Sequence, residues 1–279
     1  MIGSARPDDR TDGVASAARA GVVVLELPDR YRVIETRIAA FDLDEAVRLF
    51  LEARSSGTRL RAHFCTTHTL VEASDNAMLR EALNQPDAVA APDGMPLVWV
   101  GRAMGRDVGR VCGPDLLPLL VDRGREVGAR HFFYGGAPGV AERLAESLAA
   151  RYPGLVVAGT HSPPFRPLTP DEDAAEVELI NAAQPDFVWV GLGSPKQDLW
   201  IDSHRDRLDA AVLFAVGAAF DFHAGTLRRA PVWMQRTGTE WFYRLISEPR
   251  RLLKRYTVVN TRFVLLLGRQ ILSRRPRQA

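Results

Sequence analysis

The 279-residue sequence has only two cysteines, Cys65 and Cys112, and they form no CxxC pair. This argues against a disulfide framework and a zinc site, and a reducing cytoplasm suits the chain. Long apolar runs are also missing. The longest late one, residues 263–267, is far too short to span a bilayer. Residues 1–21 are polar and rich in Ala, Gly and Ser, without the apolar core of a signal peptide, and read as a disordered leader. No GxxxxGK[ST] occurs, so a P-loop is out, and Gly135-Gly136-Ala137-Pro138-Gly139 has the wrong spacing for GxGxxG. None of the strand-like runs from residue 62 onward is followed by an Asp-x-Asp pair, so the usual metal–diphosphate clamp is not expected.

What is present is an ordinary apolar fraction, 46%, enough for a sizeable core. The formal net charge of +2 is too small to argue for nucleic acid, but its distribution is uneven. From Arg228 onward, thirteen Arg and Lys residues are opposed only by Glu240 and Glu248, which leaves the rest of the chain acidic on balance. This tail has neither a helix-turn-helix signature nor an aromatic–basic sheet pattern, so nucleic acid is not expected as a partner.

From about Val22 the chain alternates short apolar runs with segments of helical period. Strands are expected near residues 62–66, 88–91, 131–134, 155–159, 187–190 and 211–216. A helix with Leu43, Val47, Phe50 and Leu51 on one face opens on an Asp42/Glu45 capping box. One helix is expected to carry Leu70, Ala73, Met78, Leu79 and Leu83, and others cover 116–127, 140–151, 171–183 and a stretch ending near Arg205. This grammar predicts an α/β fold, a Rossmann-like parallel sheet with helices on both faces. After Ala224 it gives way to Arg, Trp, Tyr and Leu in two or three amphipathic helices with Pro249 as a breaker. The expected organisation is a leader at 1–21, a catalytic α/β domain at 22–227 and a C-terminal helical basic appendage at 228–279.

Parallel sheets bind ligands outside the carboxyl ends of their strands. Those ends here carry Thr66-Thr67-His68, Asp93-Gly94, Gly135-Gly136 and the run from Gly191 through Gly193 to Gln197. Glycines there let backbone N–H groups approach phosphate oxygens, although any one of them is as readily a tight turn. Asp93 in this position is equally a base or the cap of a helix starting at Met95. Asp221 can hold a ribose or uracil, or simply cap. Lys196 reads as a solvated first helical turn, and Tyr134 as core with a wet hydroxyl. Without a metal clamp, arginine side chains are the physical substitute for a divalent ion at a diphosphate, and the tail is where they concentrate.

Several spaced segments, in order, resemble the WecG/TagA/CpsF glycosyltransferases. They are Pro92-Asp93-Gly94 with Met95-Pro96-Leu97-Val98, the run from Gly191 to Ile201, and Gly217-Ala218-Ala219-Phe220-Asp221-Phe222 with Gly225. Arg229-Ala230-Pro231, Trp233, Glu240-Trp241-Phe242-Tyr243-Arg244-Leu245, Glu248-Pro249-Arg250-Arg251 and Arg255-Tyr256 complete the set. The resemblance spans about Ile34 to Leu267. It implies an inverting enzyme, free of metal or other cofactor, that moves a sugar of the N-acetylmannosamine type from a UDP-sugar donor to a polyprenyl-diphosphate-linked acceptor in cell-surface polymer synthesis. It makes Asp93 the general base, and places Thr66 and His68 beside it, with His68 where the family has Asn and Thr67 where it has Pro. It assigns Gly135, Gly136, Gly191, Gly193, Gln197 and Asp221 to the donor. Arg229, Arg244, Arg250, Arg251 and Arg255 are assigned to phosphate or to an anionic membrane surface on the inner face of the cell membrane. A homo-oligomer is left open. So are a catalytically altered nucleotide-sugar-binding protein, which the His68 departure permits, and a nucleotide-dependent epimerase or oxidoreductase, which the missing GxGxxG disfavours.

Overall fold

A computed structural model of the chain describes residues 25–231, 233–234, 239–247 and 249–274; at 241, 244, 247, 249–256 and 274 only the backbone is described. The leader expected at 1–21 lies outside the described residues. The chain opens with a hairpin, β1 (Arg30–Val33) and β2 (Thr36–Ala39), that the sequence reading had not anticipated. Its turn runs through Ile34 at φ 56°, an unusual place for a β-branched residue and one without the Gly or Asn that ordinarily marks a hairpin.

Six parallel strands follow: β3 (Leu60–Cys65), β4 (Ala88–Pro92), β5 (Arg130–Gly135), β6 (Val156–His161), β7 (Phe187–Gly191) and β8 (Val212–Ala215). They lie in the order β4-β3-β8-β7-β5-β6. Their near-continuous apolar runs reflect burial on both faces. One face is covered by α1 (Leu43–Ser56), α5 (Gly113–Gly124), α6 (Val140–Arg151) and α9 (Ala219–His223), with Phe50, Trp189 and Phe214 at the centre of the cluster. The other carries α2 (Thr67–Asp75), α3 (Ala77–Leu83), α4 (Met95–Ala103), α7 (Pro170–Ala182) and α8 (Lys196–His204). The architecture is the expected Rossmann-like α/β sheet.

The capping box at Asp42 and Glu45 forms in both directions, each bond 2.9 Å. The single helix expected across Leu70 to Leu83 is instead two, α2 and α3. Asn76 takes an extended backbone between them and its Oδ1 accepts from Leu79 N at 3.2 Å, so a local cap ends one helix and opens the next, and Leu79 and Leu83 need not share a face with Leu70 and Ala73.

After α9 come α10 (Glu240–Ser247) and α11 (Pro249–Arg274). The second lies on α2 and on the hairpin. Phe263 is buried among Leu70, Val71 and Leu97, Arg262 makes a bidentate pair with Asp75 at 2.6 and 2.8 Å, and Gln270 donates to the Arg32 carbonyl at 2.9 Å. No described helix is long and apolar enough to cross a membrane.

Candidate active site

The direction of the crossovers locates the crevice. β5 leads through α6 outward to β6, whereas β7 leads through α8 the opposite way to β8, so the chain diverges between β5 and β7. Such a divergence leaves an opening at the carboxyl ends. The residues facing each other there are Gly135 and Gly191, paired in register, with Gly136 N donating to the Gly191 carbonyl at 2.9 Å. A Cβ on Gly135 would lie 2.8 Å from the Gly191 backbone, and one on Gly191 would lie 2.8 Å from the Phe220 ring. Neither position has room for a side chain.

The rest of this end is organised by Gln197, which is buried. Its Oε1 accepts from Gly193 N at 3.0 Å and its Nε2 donates to the Ala215 carbonyl at 2.9 Å. The amide expected to meet the donor therefore holds the β7 and β8 loops together, and shapes the crevice through them. Gly193, at φ 78°, has open space where a Cβ would stand. Asp221, in α9, accepts from Thr226 Oγ1 at 3.1 Å and stays half-exposed beside the β8 end. Tyr134 is core: it stacks on Trp200 with ring centroids 4.5 Å apart and donates its hydroxyl to Glu176.

Asp93 stands three strands from β7, about 14 Å at a strand spacing of about 4.8 Å. Its N–H and that of Gly94 both donate to the Cys65 carbonyl, at 3.0 and 3.2 Å, which fixes the turn at the lip of β4. The cap of α4 is Gly94, with no side-chain capping bond, so the Asp93 carboxyl is not used as a helix cap. It enters instead a chain of charges. Arg110 donates from Nε to the Asp93 carbonyl at 2.6 Å and from Nη2 to Asp93 Oδ1 at 3.2 Å and Glu240 Oε2 at 3.3 Å. Glu240 accepts in turn from Arg229 Nε at 3.1 Å, Arg229 Nη1 donates to Asp115, and Asp115 accepts from the Cys112 thiol at 2.9 Å.

The electrostatics follow from burial. Desolvation raises the affinity of the Asp93 carboxyl for a proton above the ordinary aspartate range, more than the Arg110 guanidinium beside it lowers it, and Glu240 adds to the rise. For Asp115, burial also pushes upward, but the hydrogen bonds from Arg229 and Cys112 together prevail and hold it below its usual value. Burial pushes the Cys112 and Cys65 thiols well up, so both stay protonated. Two carboxyls of one cluster are thus driven apart, which is the arrangement that lets one of them serve as a base.

Thr66 caps α2, its Oγ1 accepting from Thr69 N at 3.4 Å while Thr69 Oγ1 accepts from Thr66 N at 3.2 Å. It adjoins the Asp93 turn through Gly94, whose Cβ would stand 3.5 Å from Thr66 Cα. His68 lies in the first turn of the same helix, half-buried. Thr67 Oγ1 donates to Asn260 Oδ1 at 3.2 Å, which brings α11 to this end of the sheet.

Of the five arginines assigned to phosphate or membrane, the structure engages Arg229 with Glu240 and Asp115. The side chains of Arg244, Arg250, Arg251 and Arg255 lie outside the described residues. The residues that sequence reasoning missed are Arg110, Asp115, Cys112 and Glu240 as a member of the site. A signal existed: Arg110 and Asp115 are charges in a short Gly- and Val-containing stretch, and Glu240 is one of two acids in a basic tail. Among the described residues no group of three or more His, Cys, Asp or Glu could hold a metal ion.

Comparison with known proteins bears on this arrangement. The model of the glycosyl transferase WecG/TagA/CpsF family matches residues 31–277. The N-acetylglucosaminyldiphosphoundecaprenol N-acetyl-beta-D-mannosaminyltransferase of Bacillus spizizenii (strain ATCC 23059 / NRRL B-14472 / W23) is 34% identical over 182 residues, 64% of this chain and 68% of that protein. The protein of the same name from Bacillus subtilis (strain 168) is 32% identical over 161 residues, 57% of this chain and 61% of its own length.

Proposed function

Because the chain belongs to the glycosyl transferase WecG/TagA/CpsF family, and is therefore a glycosyltransferase, we propose that it moves an N-acetylmannosamine-type sugar from a UDP-sugar to a polyprenyl-diphosphate-linked acceptor, with inversion and without a metal. The observation that carries this reading is the separation of two functions along one sheet edge. A carboxyl with raised proton affinity stands at the β4 end, and side-chain-free backbone faces a crevice at the β5/β7 end, about 14 Å away. An extended sugar nucleotide suits that span, with its nucleotide in the crevice and its sugar toward Asp93.

The step would run as an in-line displacement. The acceptor hydroxyl oxygen attacks the anomeric carbon, the bond from that carbon to the diphosphate oxygen breaks, and UDP departs with the electron pair. The hydroxyl proton passes to the Asp93 carboxylate. Raised proton affinity makes Asp93 a better acceptor, while Arg110 keeps it oriented and ionisable. Arginines of the tail supply the positive charge that the leaving diphosphate requires.

The acceptor's lipid would reach the site at a membrane surface. Phe242, Ile246, Val264, Leu265, Ile271 and Leu272 are exposed on α10 and α11, interspersed with arginines, which suits a helix pair lying on an anionic interface. The experiment is transfer from a panel of UDP-sugars to N-acetylglucosaminyl-diphosphate-polyprenol in vesicles containing anionic lipid. Sugar-linked lipid should form from an N-acetylmannosamine donor. If every UDP-sugar fails while the protein is stabilised by another nucleotide, the reading is wrong.

A further inference from the structure

The loop between β6 and α7 carries the most exposed aromatic residue of the described chain. Phe165 is 103% exposed, yet its loop is held at both ends. On one side Ser162 Oγ donates to the Gly135 carbonyl at 3.2 Å, beside the crevice. On the other, Arg166 makes a bidentate pair with Glu172 at 2.7 and 2.6 Å, and Thr169 with Glu172 closes a capping box on α7. The ring is thus presented by a fixed loop. Across it stands Lys196, whose Nζ lies 5.1 Å from the ring centroid. Lys196 opens α8, three residues beyond Gly193, whose Cβ position is open space. The Phe165 loop starts on β6 and meets a residue of the β7 loop, so it reaches across the β5 end where Gly135 and Gly136 lie.

Single exposed apolar side chains are common and need no explanation. What distinguishes this one is its place. It is an aromatic face at the rim of the crevice, backed by a cation, next to backbone that no side chain covers. We propose that Phe165 is the base-stacking platform of the nucleotide site and Lys196 its phosphate-pairing partner. The free face of the ring takes the pyrimidine, and the ammonium shifts from the ring to the diphosphate. Stacking on an aromatic side chain is tolerant of base identity, because every base has a π-face, so Phe165 supplies affinity and leaves discrimination to polar groups. The inference rests on the donor reading above for the identity of the nucleotide, but not for the existence of the platform.

The test is calorimetric titration of the full chain and of Phe165→Ala, Phe165→Trp and Lys196→Ala with UDP, GDP and inorganic pyrophosphate. Since the ring is fully exposed, Phe165→Ala should melt at the parent temperature. It should bind UDP about tenfold more weakly and pyrophosphate equally well, and Phe165→Trp should restore the affinity. Lys196→Ala should weaken both UDP and pyrophosphate. Equal UDP affinity in the parent and Phe165→Ala overturns the platform. If the parent binds GDP but not UDP, the donor reading falls while the platform stands, provided Phe165→Ala weakens GDP. If the parent binds no nucleotide, both fall.

Discussion

Replacing Asp93 by Asn tests the mechanism at one atom. The amide keeps the shape of the carboxyl and an oxygen to accept from Arg110, whose other bonds, to the Asp93 carbonyl and to Glu240, are untouched. What is removed is the proton acceptor and, with it, the negative charge that faces Arg110. General-base contributions run to about 10²–10⁴-fold, so turnover should fall by that factor, a barrier increase of roughly 3–5 kcal/mol. Stability should move the other way. The folded Asp93 binds its proton more tightly than an unfolded aspartate, whose pKa is about 3.9. A group raised in this way contributes stability that is complete below the unfolded pKa and is lost as pH rises through the folded one. Asparagine never ionises, so the variant escapes that loss and should melt at or above the parent temperature at pH 7 to 8, the two converging near pH 4. Transfer from the sugar nucleotide to the lipid acceptor, UDP titration and melting curves at the two pH values read the three quantities. Transfer within tenfold of the parent would remove Asp93 as the base. Loss of UDP binding together with a lower melting temperature would make it a structural residue.

Three further outcomes follow from the geometry. Glu240→Gln removes a charge that raises the proton affinity of Asp93, so the acid limb of kcat/KM against pH should move to lower pH and neutral turnover should drop several-fold; an unmoved limb would disconnect Glu240 from the base. Gly191→Ala places a methyl 2.8 Å from the Phe220 ring and should destabilise by about 1–3 kcal/mol with weakened UDP binding, read by denaturant unfolding and calorimetry; unchanged affinity would move the nucleotide away from β7. His131, fully buried and accepting from Trp189 Nε1 at 3.0 Å, is held neutral by burial down to a pKa of about 3. Its depressed value makes stability fall from about pH 6.5 toward pH 3, by roughly 1.4 kcal/mol per pH unit, a slope that His131→Gln should flatten in acid melting curves.

The sheet was legible because its strands are apolar on both faces and its helices have a clear period; each expected strand begins and ends within about two residues of the observed one. The first helix was legible from two residues, Asp42 and Glu45. The break at Asn76 was not, although at about 100° per residue Leu79 and Leu83 would face away from Leu70 and Ala73 in one continuous helix; that phase change, with a capping residue between the two pairs, was the signal. Nor was the β1–β2 hairpin, whose strands are four residues long, half polar, and joined through Ile34. Asp93 and the glycine ends could be found because their chemistry lies within one short segment. The charge chain could not, because Arg110 is 17 residues from Asp93 and 130 from Glu240.

The same chain of charges is how the tail bears on Asp93. Arg110 lowers the proton affinity of Asp93, against the larger upward push of burial. Glu240 draws the same guanidinium to a second carboxylate and adds its own negative charge, and both effects act in the direction of a stronger base. Glu240 is itself held by Arg229, which is anchored to Asp115 on α5. An acid in a segment otherwise crowded with arginines is therefore placed where it tunes the Asp93 carboxyl, and under the proposed mechanism the first turn of α10 takes part in the chemistry. A chain ending before Glu240 should retain the sheet and the crevice, and with them nucleotide binding. It should lose transfer even when the acceptor is offered in detergent, where no membrane has to be reached; full transfer under that condition would confine the tail to membrane attachment.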